Sequence, residues 1–105
     1  MTSDERSFGS MIFGALANPA RLHILEALAC GPASVNEIAE KVGLKQSMTS
    51  QHLSALLRAG AVVKQANGNI RIYSLRGSRI AQILGLVEEF YEVHLENLQE
   101  LLSRH

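Results

Sequence analysis

A stretch near the middle of the chain, KQSMTSQHLSALLRAG (Lys45–Gly60), combines helical periodicity with many hydroxyl and amide side chains. Projected on a helix at ~100° per residue, its small polar side chains share one sector, and its apolar side chains lie on the opposite side. The polar stripe comprises Ser47, Ser50, Gln51, Ser54 and Arg58. The opposite stripe, which we call the apolar stripe, comprises Leu53, Leu56 and Leu57 together with Thr49. Short hydroxyl and amide groups let a helix lie deep in a DNA groove and exchange hydrogen bonds with base edges and phosphates. The polar stripe therefore predicts a helix that reads DNA.

The alternative interpretation of the polar stripe is an ordinary solvent-exposed face opposite a core face. Such a face would favour glutamate and lysine, because both are better helix formers than serine. Three serines and a glutamine lower the helix propensity here without a packing reason, so DNA contact is the preferred interpretation. Met48 and His52 lie on the flank between the two stripes, where we expect a packed, hydrogen-bonded histidine rather than a DNA contact.

The charges are sorted along the chain. Residues 41–79, which we call the basic segment, contain seven basic residues and no acidic one, although the formal net charge of the chain is +0. The acidic residues lie in the two flanking segments. A basic segment of this kind predicts a polyanionic partner, with an accidental solvated face as the alternative.

Other classes of function find little support in the composition. The chain has 105 residues, 47% of them hydrophobic, and a single cysteine, which excludes an intramolecular disulfide. No apolar run approaches the ~18 residues of a membrane span, and the N-terminal MTSDERSFGS lacks the features of a secretory signal. There is no glycine-rich phosphate loop and no nucleophile elbow. We therefore expect one cytoplasmic domain that is not an enzyme.

The elements that position the polar stripe can be traced from the N-terminus. A first helix is predicted from an apolar stripe with helical spacing, formed by Phe8, Met11, Ile12, Ala15 and Leu16. Asn18 and Pro19 favour the start of a second helix. Ser34 and Glu37 have the spacing of a capping box, and Gly43 supplies a left-handed stop, so a short third helix is predicted. With the stretch after Gly43, this helix forms a helix-turn-helix unit.

A β-hairpin is predicted directly after the helix-turn-helix unit. The segments AVVKQ and IRIYSL are rich in β-branched and aromatic residues, and Asn67-Gly68 between them is a strong hairpin signal. Lys64 and Arg71 lie on the two predicted strands and Asn69 at the tip, so the hairpin projects basic and polar groups. A solvated surface hairpin is the alternative.

The last segment, residues 78–103, is predicted as one long helix with an apolar face too wide for a single neighbour. Its heptad seam comprises Ile80, Leu84, Val87, Tyr91, His94, Leu98 and Leu101. One neighbour is the body of the domain, and the second is predicted to be the same helix of another copy, which gives a two-fold symmetric dimer. The predicted dimer surface comprises Phe8, Ile12, Leu84, Val87, Tyr91, His94 and Leu98.

The order of elements, with the segments ANPARLHILEAL, SVNEIAEKVGLKQSMTSQHLSALLRAGAV and GNIRIYSL, resembles the ArsR/SmtB family of bacterial winged-helix repressors over nearly the whole chain. QS followed by SQHL and LLRAG is similar to the recognition helix of that family. The resemblance implies a mainly α (α+β) winged helix-turn-helix domain over residues 1–105, in the order α-α-α-α-β-β-α, which dimerises through its terminal helices. It also implies a homodimer that represses transcription from a palindromic operator in double-stranded DNA and leaves it when an inducer binds.

By the same resemblance, Gln46, Ser47, Ser50 and Gln51 match recognition-helix positions that contact DNA, and Asn69 and Arg71 fall in the wing. The complete predicted DNA-binding set is Lys45, Gln46, Ser47, Ser50, Gln51, Ser54, Arg58, Asn69 and Arg71. The alternative function is a winged-helix module that binds proteins without reading DNA, and the basic segment and the polar stripe argue against it.

The signal that the protein senses is not identified by the sequence. Zinc-type sensors of this family carry an Asp-x-His pair and a His-x-x-Glu pair on the last helix. His94 matches the start of the second pair, but Asn97 stands three residues later, and Ala81 and Ile83 occupy the upstream positions. One ligand of four cannot form a tetrahedral site, so the usual metal site is not expected and His94 is expected to pack in the dimer seam. The open alternative is a non-standard site that uses His94, Glu96 or His105.

A thiol sensor is also not favoured by the sequence. Thiolate-type sensors of the family place cysteines at the start of the third helix, where this chain has ASVNEI. Cys30 lies next to Gly31-Pro32 and is expected to be a half-buried small hydrophobic residue. A redox switch through the partner chain, or through a small ligand, is the alternative for Cys30.

Overall fold

The computed structural model describes residues 1–104 and is mainly helical with a small antiparallel sheet. His105 lies outside the described residues. The elements in chain order are α1 (Ser3–Leu16), α2 (Pro19–Ala29), β1 (Ala33–Ser34), α3 (Val35–Val42), α4 (Gln46–Arg58), β2 (Val62–Asn67), β3 (Ile70–Leu75) and α5 (Arg79–Ser103). All five predicted helices and both hairpin strands are present, and β1 is an addition to the predicted order.

The predicted helix starts are confirmed at α2 and α3. The Asn18 side-chain oxygen accepts hydrogen bonds from the backbone N–H groups of Ala20 (2.9 Å) and Arg21 (3.2 Å). At α3, the Ser34 hydroxyl accepts from the Glu37 N–H at 3.3 Å, and the Glu37 carboxylate accepts from the Ser34 N–H at 2.9 Å. These contacts lower the pKa of Glu37 below its ordinary value, the bond from the Ser34 backbone contributing most.

A left-handed glycine ends α3 and sets the turn into α4. Gly43 has a φ of 73°, a conformation that other residues rarely adopt, and its N–H donates to the Ala39 carbonyl at 2.9 Å. Because the turn is short, α4 starts close to the end of α3, and the two form the predicted helix-turn-helix unit.

The sheet has three strands in the order β1-β3-β2, all antiparallel. β1 pairs Ala33 with Tyr73 and Ser34 with Ile72, which anchors the hairpin to the start of α3. This short strand was not predicted from the sequence, although the other elements follow the predicted order. A two-residue strand is too short for an alternating pattern to mark it, and Ser34 also serves as the helix cap.

The hairpin turn lies one residue later than Asn67-Gly68. Asn67 pairs with Ile70, so the turn residues are Gly68 and Asn69. Gly68 has a φ of 65°, whereas the φ of Asn69 is not positive. A positive φ at the first turn residue alone, with glycine there, is typical of a type II′ turn. The wing therefore ends on Gly68 and Asn69.

The core is built from all five helices and the sheet. Its largest fully buried side chains are Ile24, Leu25, Ile38, Leu53, Leu56, Val62 and Thr49. Thr49 is the polar member, and its hydroxyl donates to the Lys45 carbonyl at 3.0 Å, so the burial leaves no unpaired group.

Two residues of the predicted dimer surface are buried within the single chain. Ile12 of α1 and Leu84 of α5 are 7% and 9% exposed and belong to the core of the single chain. Along the heptad seam, Ile80 and Leu84 face the body of the domain, whereas Val87, Tyr91 and Leu98 are exposed. The seam is continuous in sequence, but its first two positions pack inward and the rest extend past the core.

Two further features bear on the predictions. Within residues 1–104, no helix has the length and hydropathy needed to cross a membrane.

The expectation that Cys30 is half-buried was wrong, because Cys30 is exposed at the end of α2, where the chain turns away at Gly31. Its thiol lies 3.7 Å from the Glu26 carbonyl oxygen, one helical turn earlier.

Candidate nucleic-acid interface

One face of helix α4 packs against the core of the domain, and the opposite face lies at the surface. Thr49, Leu53 and Leu56 are each 0% exposed, and Leu57 is partly buried, so the predicted apolar stripe packs into the core as expected. The opposite sector is at the surface. Ser47, Gln51, Ser54 and Arg58 of the polar stripe are exposed, and Ser50 is partly exposed. The short polar groups are therefore available to a partner along the length of the helix.

The N-terminus of α4, like that of α5, lacks the side-chain cap found at α1, α2 and α3. Each of those three helices is capped by a side chain, Thr2, Asn18 or Ser34, whereas Lys45 at the N-cap of α4 makes no side-chain cap hydrogen bond. The first N–H groups of a helix need an acceptor and carry partial positive charge. A basic side chain beside these donors makes the start of α4 suited to an anionic group such as a phosphate.

A cleft joins the start of α4 to the hairpin. It has a volume of about 280 Å³ and is lined on one side by Gln46 and on the other by Asn69 and Arg71 of the hairpin. Its remaining lining residues are Ser34, Val35, Asn36 and Ile70. Three predicted DNA-binding residues from separate parts of the sequence are thus brought together in space.

Asn36 is a cleft residue that sequence reasoning missed. It lies in the first turn of α3 between the capping residues Ser34 and Glu37, and its side chain is exposed. The capping box accounted for this segment fully, so nothing in the local pattern singled out the amide. Only the pairing of β1 with β3, which brings the hairpin against α3, places Asn36 beside Arg71 and Asn69.

Arg58 and Ser54 lie away from the cleft. Arg58 is twelve residues after Gln46, which corresponds to about 18 Å along a helix, and it is the last residue of α4. Lys64 is exposed on β2, opposite Tyr73 of β3. The predicted set therefore forms an extended surface along α4 and the wing rather than one pocket.

The charges of the basic segment are not neutralised within the described chain. The salt bridge found among residues 1–104 joins Arg104 to Glu100 at 2.8 Å, on α5 and outside the basic segment. Basic side chains such as Lys45, Arg58 and Arg71 are exposed, and no carboxylate of the described residues lies within ion-pair distance of them. A surface with one sign of charge attracts a polyanion.

A second surface of different character lies between α1 and α5. An apolar groove of about 540 Å³ is lined by Phe13, Ile83, Leu86, Val87, Phe90, Tyr91 and His94. Phe13, of α1, was missed by sequence reasoning, because it lies outside the stripe that identified the helix. Phe90 is 75% exposed and Tyr91 57% exposed, and Phe8 and Leu98 are exposed outside the groove.

The possible non-standard metal site involves His94 and Glu96 of α5. Within residues 1–104, no group of three or more His, Cys, Asp or Glu side chains is placed to hold a metal ion. His94 and Glu96 are both exposed and two residues apart, so they point to different sides of α5. His105, the third residue of the non-standard arrangement, lies outside the described residues.

Comparison with known proteins agrees with this architecture. A sequence profile described as bacterial regulatory protein, arsR family, matches residues 18–64, from the cap of α2 to β2. The HTH-type transcriptional regulator NmtR of Mycobacterium tuberculosis is 42% identical over 89 residues, which are 85% of this chain and 71% of NmtR.

Two solved structures match nearly the whole fold. The crystal structure of Rv0081 from M. tuberculosis has a TM-score of 0.80 at 35% identity, covering 92% of this chain and 97% of that chain. The solution NMR structure of Mb0332 from Mycobacterium bovis is described as a homodimeric winged helix-turn-helix DNA-binding domain of a possible ArsR-family transcriptional regulator. It has a TM-score of 0.81 at 30% identity and covers 92% of this chain and 93% of that chain.

Proposed function

The chain belongs to the ArsR family of bacterial regulatory proteins, and from that membership we propose that it is a homodimeric repressor of a palindromic operator. In this proposal residues 1–105 form one winged helix-turn-helix domain with terminal dimerisation helices, and the protein acts on DNA in the cytoplasm. An inducer releases it from the operator. The class of protein is a DNA-binding transcription regulator, and it is not proposed to be an enzyme.

One observation carries the DNA-reading part of the proposal. Most of the polar stripe of α4 is exposed, while Thr49, Leu53 and Leu56 on the opposite face of the same helix are fully buried, so the short side chains are presented outward by a rigid element. Serine hydroxyls and the Gln51 amide can exchange hydrogen bonds with base edges, and Lys45, Arg58 and Arg71 can contact phosphates. In this arrangement α4 enters the major groove and the wing, with Asn69 and Arg71, lies along the backbone.

The dimer part of the proposal rests on the apolar groove. Side chains such as Phe90 and Tyr91 are exposed in the single chain, and burying them against a second copy would remove a large apolar area from water. The solved relative from M. bovis is described as homodimeric. A two-fold dimer would present two copies of α4, which matches the symmetry of a palindromic site.

The test is selection of DNA by the full chain from a random-sequence library, followed by titration of the enriched fragment. We expect a palindromic sequence with half-sites about one helical turn apart, bound at least about a thousandfold more tightly than random DNA at moderate salt. Affinity should fall steeply as salt concentration rises, because phosphate contacts release counterions. If no fragment binds more tightly than random DNA, the proposal fails, and a protein-binding module becomes the better assignment for this fold.

Repression itself is tested separately, with a reporter gene placed behind the selected sequence. We expect the expressed protein to lower reporter output and a scrambled site to abolish the effect. An increase in output would keep the DNA-binding function and overturn the assignment as a repressor.

A further inference from the structure

A single arginine joins helices α1, α2 and α4 through its hydrogen bonds. Arg21, in the first turn of α2, donates from Nε to Nδ1 of His52 on α4 at 3.2 Å. It also donates from a terminal guanidinium nitrogen to the Ala15 carbonyl of α1 at 3.2 Å. Both arginine and histidine side chains are partly buried. One rigid guanidinium therefore spans from the C-terminal turn of α1 to the recognition helix.

This contact is unusual among the hydrogen bonds of the described chain. Within residues 1–104 it is the one side-chain hydrogen bond that joins α4 to another helix, and its partners are 31 residues apart in sequence. The buried Leu53 and Leu56 hold α4 against the core, but apolar contact has no preferred direction. A hydrogen bond to a planar guanidinium is directional, so it can fix the rotation and tilt of α4.

Arg21 is not placed where an arginine stabilises its own helix. A positive charge in the first turn of α2 is unfavourable with the helix dipole, and no carboxylate among residues 1–104 forms a salt bridge with it. Its acceptors are an imidazole nitrogen and a backbone carbonyl oxygen. The Ala15 carbonyl belongs to the last turn of α1, which lacks an internal partner and carries the negative end of that helix dipole. The hydrogen bonds of Arg21 therefore stabilise the neighbouring helices α1 and α4 rather than α2.

We propose that Arg21 is a positioning residue for DNA recognition, which sets the orientation of α4 relative to α1 through His52 and the Ala15 carbonyl. The inference rests on the proposed function of α4 as the recognition helix. α1 also carries Phe13 of the apolar groove, two residues before Ala15. In a dimer formed through that groove, the orientation of α4 on α1 determines the distance between the two recognition helices.

The distance between the two recognition helices must match the spacing of the half-sites on DNA. Two recognition helices must reach half-sites about one helical turn of DNA apart, roughly 34–36 Å. A change in tilt of α4 would leave each helix intact and still basic, but it would misalign the pair on the operator. Loss of the Arg21 contact should therefore lower specific affinity more than non-specific affinity.

The experiment compares variants of the full chain on the DNA that the wild-type protein selects and on random DNA. Arg21→Ala and His52→Ala should each lower specific affinity about tenfold, while affinity for random DNA changes less than about twofold. Arg21→Lys keeps the charge but cannot bridge both acceptors with one planar fork, so it should resemble Arg21→Ala. His52→Asn offers an oxygen near the position of Nδ1 and should stay within about threefold of the wild type.

Three further measurements separate positioning from a general loss of stability. Sedimentation should find an unchanged dimer, and Arg104→Ala and His23→Ala serve as matched variants at exposed positions outside the contact. The double variant Arg21→Ala/His52→Ala should bind no more than about threefold more weakly than either single variant, because both remove the same contact. In Arg21→Ala, one base pair inserted between the half-sites should reduce affinity less than it does in the wild type.

Several outcomes would overturn the inference while leaving the proposed function intact. These are wild-type affinity in Arg21→Ala, additive losses in the double variant, a loss in His52→Asn as large as in His52→Ala, or equal losses on selected and random DNA. If the wild-type chain selects no DNA at all, the proposed function fails, and this inference fails with it.

Discussion

The exposed face of α4 and the apolar groove between α1 and α5 are two surfaces that each act against the stability of the isolated chain. On α4, serines replace better helix formers, and the basic side chains form no ion pair with a carboxylate among residues 1–104. At the groove, aromatic and aliphatic side chains such as Phe90 are exposed to water. Neither arrangement benefits the single folded chain, so each surface indicates a partner.

The difference between the two surfaces indicates different partners. The polar stripe offers directional hydrogen bonds and positive charge, which suit a partner with a fixed pattern of donors, acceptors and phosphates. The apolar groove offers area without direction, which suits a matching apolar surface and is weakly affected by salt. Binding at the first surface should depend steeply on salt concentration, and assembly at the second should not.

The comparison is tested most strongly by placing a charge in the apolar groove. Val87→Asp should raise the dimer dissociation constant by at least about a hundredfold, because an unpaired carboxylate would be buried on assembly. Operator binding should fall with it, since a monomer contacts only one half-site. Analytical ultracentrifugation measures the dissociation constant directly.

A matched variant distinguishes the groove from the rest of α5. Gln99→Asp adds the same carboxylate to an exposed position on the other side of the helix. It should leave the dimer intact. If both variants dissociate equally, the net charge of α5 rather than the apolar groove governs assembly.

The second prediction concerns the polar stripe. Ser50→Ala combined with Gln51→Ala should lower affinity for the selected operator about ten- to a hundredfold, as expected for the loss of base contacts, and leave the dimer unchanged. Fluorescence anisotropy with labelled operator measures the affinity. Ser103→Ala with Gln99→Ala removes the same chemical groups from α5 and should have no effect. Retained operator binding in the first double variant would show that α4 faces elsewhere.

The two surfaces also differ in how far the sequence predicted them. The orientation of α4 follows from local periodicity, because residues three and four apart share a face, and its buried and exposed sides agree with the prediction. The seam of α5 is equally periodic, but periodicity does not say which neighbour covers each part of it. For that reason Leu84 was assigned to the dimer surface, although it packs into the core of its own chain.

Contacts between distant segments were beyond the reach of sequence patterns. Asn36 joins the cleft because a two-residue strand pairs with β3, and Arg21 meets His52 across 31 residues. The expectation that His52 is packed and hydrogen-bonded is confirmed, but its partner could not be named from the sequence. Such contacts depend on tertiary packing, which no short window of residues encodes.

A smaller effect is expected at the wing. Arg71→Ala should weaken binding to all DNA sequences by a similar factor and reduce the slope of log affinity against log salt by about one unit, as the loss of one phosphate contact does. Titrations at several salt concentrations measure the slope. Arg104→Ala removes one positive charge just after the end of α5 and should leave the slope unchanged. A change confined to one DNA sequence would instead indicate that Arg71 contacts a base.

The smallest effect is expected at two capping boxes. One is Ser34–Glu37 at the start of α3, the helix that borders the cleft, and the other is Thr2–Glu5 at the start of α1, the helix that borders the apolar groove. Hydrogen bonds to the Ser34 or Thr2 backbone and side chain lower the pKa of each glutamate below its ordinary 4.5. Because the folded-state pKa is lowered, the stabilisation is present above the ordinary value and is lost as pH falls through the folded value. Thermal melts should therefore lose part of their acid sensitivity in Glu37→Gln and in Glu5→Gln.

The two boxes should differ in their effect on DNA binding. α3 carries Asn36 and Ser34 into the cleft beside Arg71, whereas the start of α1 has no residue in that cleft. Glutamine can still accept from the cap N–H but cannot be protonated, so Glu37→Gln should retain operator affinity further into the acid range than the wild type does. Glu5→Gln should follow the wild-type profile. Identical binding profiles for both variants would separate the start of α3 from the DNA-reading surface.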